Sequence, residues 1–180
     1  AGEVVAAYLS GGERAQPART WDFEAAPGNE DVRLQSVSVV LVADAGETLI
    51  TTRSELDIRI SFWNLRPDTS INLSIHLHTW EGVCAFSTWS KPRVFGRGLI
   101  QGRCRIPANL LNEGGYRCRV FIVRNANSVL LDVPNTIEFD VHDIERDVPW
   151  YGKVPGVVRP SLDWTVDQVP GGSLPGAPVS

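Results

Sequence analysis

From Val32 onward the chain repeats one pattern: short runs of β-branched and aromatic residues, alternately apolar and polar, each closed by a turn signal within a few residues. The first is Val32-Arg33-Leu34-Gln35-Ser36-Val37-Ser38-Val39-Val40-Leu41-Val42, and similar runs recur at about 47–52, 55–65, 71–80, 83–90, 97–106, 116–124 and 135–142. Between them stand Asp44-Ala45-Gly46-Glu47, Pro67-Asp68, Glu81-Gly82, Lys91-Pro92, Asn112-Glu113-Gly114-Gly115 and Asn125-Ala126-Asn127. Closely spaced strands with no helical period between them leave an antiparallel sandwich or barrel as the way to bury a core, and exclude a parallel α/β sheet.

The period of two assigns faces. Ile71, Leu73, Ile75 and Leu77 are expected to point one way, and Asn72, Ser74, His76, His78 and Trp80 the other. Ile58, Ile60 and Phe62 read as inward against outward Asp57, Arg59, Ser61 and Trp63. Tyr116, Cys118, Val120 and Ile122 read as inward against outward Arg117, Arg119, Phe121 and Val123. Cys84, Cys104 and Cys118 are odd in number and lack C-x-x-C spacing, which fits neither a disulfide framework nor a zinc site. Buried free thiols are the expectation.

Outside this region the pattern lapses. Ala1–Leu9 reads as the middle or end of a helix closed by Gly11-Gly12, and residues 10–31, rich in Gly, Ala, Pro and charge, read as a linker ending in the turn Pro27-Gly28-Asn29-Glu30. An uncapped opening in a chain without methionine suggests a fragment of a larger protein. Residues 143–169 alternate charge with aromatics. The final stretch, 170–180, has the composition of a disordered tail. No apolar run approaches the ~18 residues of a membrane-spanning helix, and no secretion signal opens the chain.

Composition narrows function by exclusion. Seventeen basic against 21 acidic residues give a net charge of −4, the wrong balance for a phosphate-tracking nucleic-acid binder. Only Lys91 and Lys153 are lysines; arginine's planar fork suits bidentate recognition, although genomic base composition produces the same bias. There is no phosphate-binding loop, dinucleotide fingerprint, nucleophile elbow or H-E-x-x-H motif. His76-Leu77-His78 with nearby Glu81 resembles the first cupin motif, but the glutamate comes too early and the second motif has no match, so no metal or other cofactor is assigned. Glu81, Asp132, Asp140 and Glu145 could supply paired carboxylates for glycoside hydrolysis, yet spacing alone brings no two together. Binding rather than catalysis is expected.

Sugars need flat aromatic surface for their C–H faces and planar donors for their hydroxyls. Asn72, His76, His78 and Trp80, set beside Arg59 and Trp63, would provide both, and these six are the candidate carbohydrate-binding residues. Trp150, Tyr151 and Trp164 are expected to pack on a sheet edge or on a second subunit.

Trp150-Tyr151-Gly152-Lys153-Val154-Pro155-Gly156-Val157-Val158-Arg159-Pro160 with Leu162-Asp163-Trp164 resembles the terminal signature of the Wzt C-terminal domain family. Glu3-Val4-Val5-Ala6-Ala7-Tyr8-Leu9 is similar to the helix where the preceding ATPase domain ends. Trp21 through Glu30 with Val32-Arg33-Leu34 is similar to the entry into the first strand, so the resemblance spans most of residues 1–169. It implies an immunoglobulin-like antiparallel β-sandwich over 32–169, usually a homodimer, preceded at 1–31 by the end of the ATPase domain and its linker. It also implies a role: binding O-antigen or a related polysaccharide, or its terminal structure, for export by an ABC transporter, at the cytoplasmic face of the bacterial inner membrane and beside the transmembrane subunit. The family's binding residues vary with the glycan, so none is carried over by position. Two other readings stand beside this one: a module that only dimerises and braces the ATPase subunit, and a cupin-like metal-dependent enzyme.

Overall fold

The computed structural model describes residues 17–42, 49–143, 154–160 and 165–166. These form nine strands: β1 (Ala18–Thr20), β2 (Val32–Leu41), β3 (Leu56–Asn64), β4 (Thr69–Thr79), β5 (Cys84–Trp89), β6 (Arg93–Phe95), β7 (Gly98–Ile106), β8 (Gly114–Arg124) and β9 (Ser128–Val141). They build two antiparallel sheets. One runs β1-β2-β3-β7; the other runs β5-β4-β8-β9, with β6 also on β4. No helix occurs among the described residues.

The two sheets pack as a sandwich because alternation gives each strand one apolar face. Val37, Val39, Ile58, Ile60 and Phe62 from the first sheet meet Ile71, Ile75, Leu77, Tyr116, Cys118, Val120 and Ile122 from the second, and all are buried. The face assignments for the segments around β3, β4 and β8 therefore hold on their inward sides. Asp57 departs from them: outward by alternation, it is only 2% exposed beneath three arginines. On one side of the sandwich β9 lies against β2 and β1. On the other, β7 and the β5–β6 edge have no further strand beside them among the described residues.

Several elements differ from the sequence reading for physical reasons. Within the stretch expected as a linker, Ala18–Thr20 pairs with Ser36–Ser38, and Trp21 enters the core. Three residues followed by Gly- and Pro-rich chain are too short for periodicity to register. Of the expected strand at 47–52, the described residues 49–52 contribute an isolated bridge, Thr51 to His142, and 47–48 lie outside the described residues. β9 begins at Ser128 rather than 135: it runs through Pro134 as a bulge, where Pro cannot donate and Asn135 takes φ 47°. Among the cysteines only Cys118 is buried; Cys104 is half-buried on an edge strand and Cys84 is exposed at the start of β5. The expected opening helix, the whole of 170–180 and the aromatics Trp150, Tyr151 and Trp164 lie outside the described residues.

The reversal into β2 falls slightly later than the expected Pro27–Glu30 turn: Gly28 bridges Arg33, and the Leu34 N–H donates to Pro27 O at 2.8 Å. Asn29 Oδ1 accepts from the backbone N–H groups of Asp31 and Val32 (2.9 and 3.0 Å), and its Nδ2 donates to Leu130 O. At the opposite end Asn112 Nδ2 donates to Val154 O and Gly156 O at 2.6 and 2.7 Å, fastening residues 154–160 against β8.

Candidate functional site

The outward side of the β5-β4-β8-β9 sheet carries a continuous mixture of rings and charged donors. Register places His76 opposite Arg119, His78 opposite Arg117, and Ser74 opposite Phe121. The His76 ring lies 4.6 Å from the Phe121 ring, and the Arg119 guanidinium lies 5.0 Å over that same phenyl. Arg119 is fixed by a two-pronged ion pair with Asp132, its Nε 2.7 Å from Oδ1. This hydrogen bond holds the Asp132 carboxyl below its ordinary pKa, aided by the charges of Arg119 and His76. Arg117 Nε lies 3.2 Å from Glu138 Oε1, a single ion-pair contact without the paired hydrogen bonds of Arg119.

Trp80 follows β4 on this face. Its indole lies over Gly115 of β8, so closely that a Cβ there would fall inside the ring. One ring face is thus spent on the sheet, and the residue remains 49% exposed. Trp89 of β5 stands opposite Ser74 and is 71% exposed. Ring faces presented beside histidine and arginine donors on a rigid sheet are suited to stacking against a ligand while reading its hydroxyl groups.

Of the six residues proposed from sequence, His76, His78 and Trp80 come together here. Asn72 shares their strand and direction but is 7% exposed, and its Oδ1 has no hydrogen-bond partner among the described residues. Arg59 and Trp63 are elsewhere: β3 belongs to the other sheet, and since both sheets turn their apolar sides inward, their outer sides face opposite directions. Arg59 there lies 3.8 Å from Asp57. Trp63 is covered edge-on by Phe23, with ring centroids 5.1 Å apart. The expectation that these two adjoin the β4 residues is thus corrected. The chain crosses between sheets at Leu65–Asp68, and neighbouring strands in sequence are not neighbours in space.

The structure adds partners to the residues expected from sequence: Arg117, Arg119 and Phe121 from β8, Asp132 and Glu138 from β9, and Trp89 from β5. Alternation already placed Arg117, Arg119 and Phe121 outward. Only the pairing of β4 with β8, about 40 residues apart, reveals that they share a face with His76 and His78. Among the described residues no group of three or more His, Cys, Asp or Glu side chains is placed to hold a metal ion, so His76, His78 and Glu81 do not form the cupin-like triad.

The architecture and this face define a class: an antiparallel β-sandwich that presents aromatic and arginine side chains on one outer sheet. No family model and no curated protein matches the sequence. Among solved structures the chain matches the crystal structure of the C-terminal domain of Wzt, with a TM-score of 0.62 over 77% of this chain and 86% of that chain at 15% identity. The sandwich fold anticipated from sequence is therefore the Wzt C-terminal fold.

Proposed function

We propose that this chain is a carbohydrate-binding module that recognises a polysaccharide, of the O-antigen type or at its terminal structure, for export by an ABC transporter. The observation that carries this reading is the outer face formed by His76, His78, Trp80, Arg119 and Phe121; the shared fold and the tail resemblance supply the transporter context. Binding is by stacking on Trp80 and hydrogen bonding from His78, His76 and the arginines, without bond cleavage. Asp132 and Glu138 are engaged by Arg119 and Arg117, which suits them to orienting donors rather than to general acid–base work. A second copy of the domain would strengthen weak single-site binding through avidity. In this reading the module works at the cytoplasmic face of the inner membrane, joined to an ATPase domain and adjoining the transmembrane subunit. No helix among the described residues is long and apolar enough to cross a membrane.

A bracing module remains the competing reading, and exposed Trp89 is the observation that favours it. Immobilised export-ready polysaccharide from the source organism, capped and uncapped, with an unrelated glycan as control, separates the two. Selective retention supports recognition. A folded protein retained by none of them turns the outer aromatics into protein contacts.

A further inference from the structure

Among the described residues the sandwich is open along one side. Between the β7 edge and the β5–β6 edge lies a cleft of about 270 Å³ that reaches inward between the sheets. Its walls are Ile60, Phe62, Leu73, Ile75, Phe95 and Ile100, all apolar. At Gly102 of β7 the Leu73 methyl from the opposite sheet occupies the place of a side chain, so the strand approaches without filling the space.

The polar lining has a single sign of charge. Lys91, Arg93 and Arg103 all line the cleft, and among the described residues no carboxylate does, in a protein whose net charge is −4. Lys91 and Arg93 are exposed in and after the β5–β6 turn, and neither has an ion-pair partner among the described residues. Arg103 reaches Asp57 only at 3.8 Å, because Arg105 already engages that carboxylate through two hydrogen bonds.

An apolar slot of this size exceeds the ~150 Å³ cavities that hold benzene, and cations at its lip add electrostatic selection. From this combination we propose that the cleft binds the tail of a single-chain amphiphile whose anionic head, a phosphate or a carboxylate, rests on Lys91, Arg93 and Arg103. The aliphatic stems of the two β5–β6 cations extend the apolar wall while their charged ends meet the head. Trp89 and Ser74 of the outer face also border the cleft, but His76, His78 and Trp80 do not line it, and the proposal does not rest on the glycan reading.

Isothermal titration of the full chain with dodecyl phosphate below its micelle concentration tests the proposal, with dodecyltrimethylammonium and inorganic phosphate as comparators. One saturable site is expected for dodecyl phosphate, with affinity about tenfold or more above that for the cationic amphiphile, and with no measurable binding of inorganic phosphate. Ile100→Trp, which fills the slot, and the double variant Lys91→Glu/Arg93→Glu should each weaken dodecyl phosphate binding by roughly tenfold; Trp80→Ala should leave it unchanged. If Ile100→Trp fails to fold, the surface charge variant decides. Equal binding of both amphiphiles, or wild-type binding by the charge-reversed protein, overturns the proposal. So does a dimer in sedimentation that excludes dodecyl phosphate and is broken by the charge reversal, since the occupant would then be a second copy of the chain.

Discussion

The indole of Trp80 lies against the backbone of β8 in the space that a side chain at Gly115 would require. The two residues act as one unit: the missing Cβ lets the ring lie down on the sheet, and the Trp80 N–H to Gly115 O hydrogen bond at 3.0 Å fixes the chain beneath it. Trp80→Ala should abolish glycan retention while leaving the thermal transition close to wild type, because the ring is half exposed. Gly115→Ala should displace the ring and lower affinity by about fivefold to tenfold, on the order of 1 kcal/mol. Adding Gly115→Ala to Trp80→Ala should cost nothing further, a coupling that a double-mutant cycle reads directly. Full affinity in Gly115→Ala would show that the flat pose of Trp80 is irrelevant to binding.

How far the sequence anticipated this arrangement depends on the range of the interactions. Alternation within a strand is local, so the inward positions of β3, β4 and β8 and the outward direction of His76, His78, Arg119 and Phe121 were legible. Sheet membership is not local. Arg59 and His76 look alike in pattern, and only the crossing at Leu65–Asp68 sends them to opposite sides of the molecule. Burial of polar groups was equally hidden: Asp57 alternates as an exposed residue, and what covers it is a cluster of arginines contributed partly by β7. Cys84 reads as a strand residue like Cys118, yet it opens an edge strand, where one side of the chain meets solvent.

Asp57 should make the fold acid-labile. Two hydrogen bonds from Arg105 at 3.0 and 3.2 Å, with the charges of Arg103 and Arg59, hold its carboxyl below the ordinary value despite the opposing effect of burial. Asp132 is lowered in the same direction by Arg119. A lowered folded-state pKa gives stability that is complete above the unfolded value near ~3.9 and is lost as pH falls through the lower folded value. Melting temperatures should therefore be flat from neutral pH to about 5 and then fall steeply. Asp57→Asn should melt lower than wild type at pH 7, and the gap should narrow on acidification. A constant gap from pH 7 to pH 2 would show that the Asp57 charge contributes nothing.

Residues 154–160 are held by several contacts, Arg159 N–H to Leu110 O at 2.9 Å among them, and the buried Asn112 amide is central to the clamp. Asn112 Nδ2 donates to two tail carbonyls, while the Tyr116 hydroxyl lies 2.9 Å from Asn112 O and 3.0 Å from Val157 O. Asn112→Ala would leave those carbonyls without their donor, at a cost of about 1–3 kcal/mol, and Tyr116→Phe would cost about 1 kcal/mol. Both should also raise the rate of proteolytic cleavage near Val154–Arg159, with the larger effect for Asn112→Ala. Urea titration gives the stabilities and mass spectrometry of a brief digest locates the cut. Destabilisation without faster cleavage in this segment would mean that Asn112 supports β8 alone.

The three thiols should react in an order set by exposure and by the cost of forming a thiolate. Cys84 is open to solvent. Cys104 lines the cleft, where burial, and secondarily the charge of Asp57, raise its pKa. The Cys118 thiol is pushed up to about 12 by burial in the core, which leaves roughly one molecule in ten thousand as thiolate at pH 8. A disulfide reagent at pH 8 should thus label Cys84 rapidly, Cys104 slowly, and Cys118 only on the timescale of unfolding. Dodecyl phosphate should slow the Cys104 phase and leave the Cys84 phase unchanged, because the proposed amphiphile would cover the cleft and not the outer end of β5. A Cys118 rate comparable to that of Cys84 would contradict the packing of β8 against the opposite sheet, on which the Trp80 face is built.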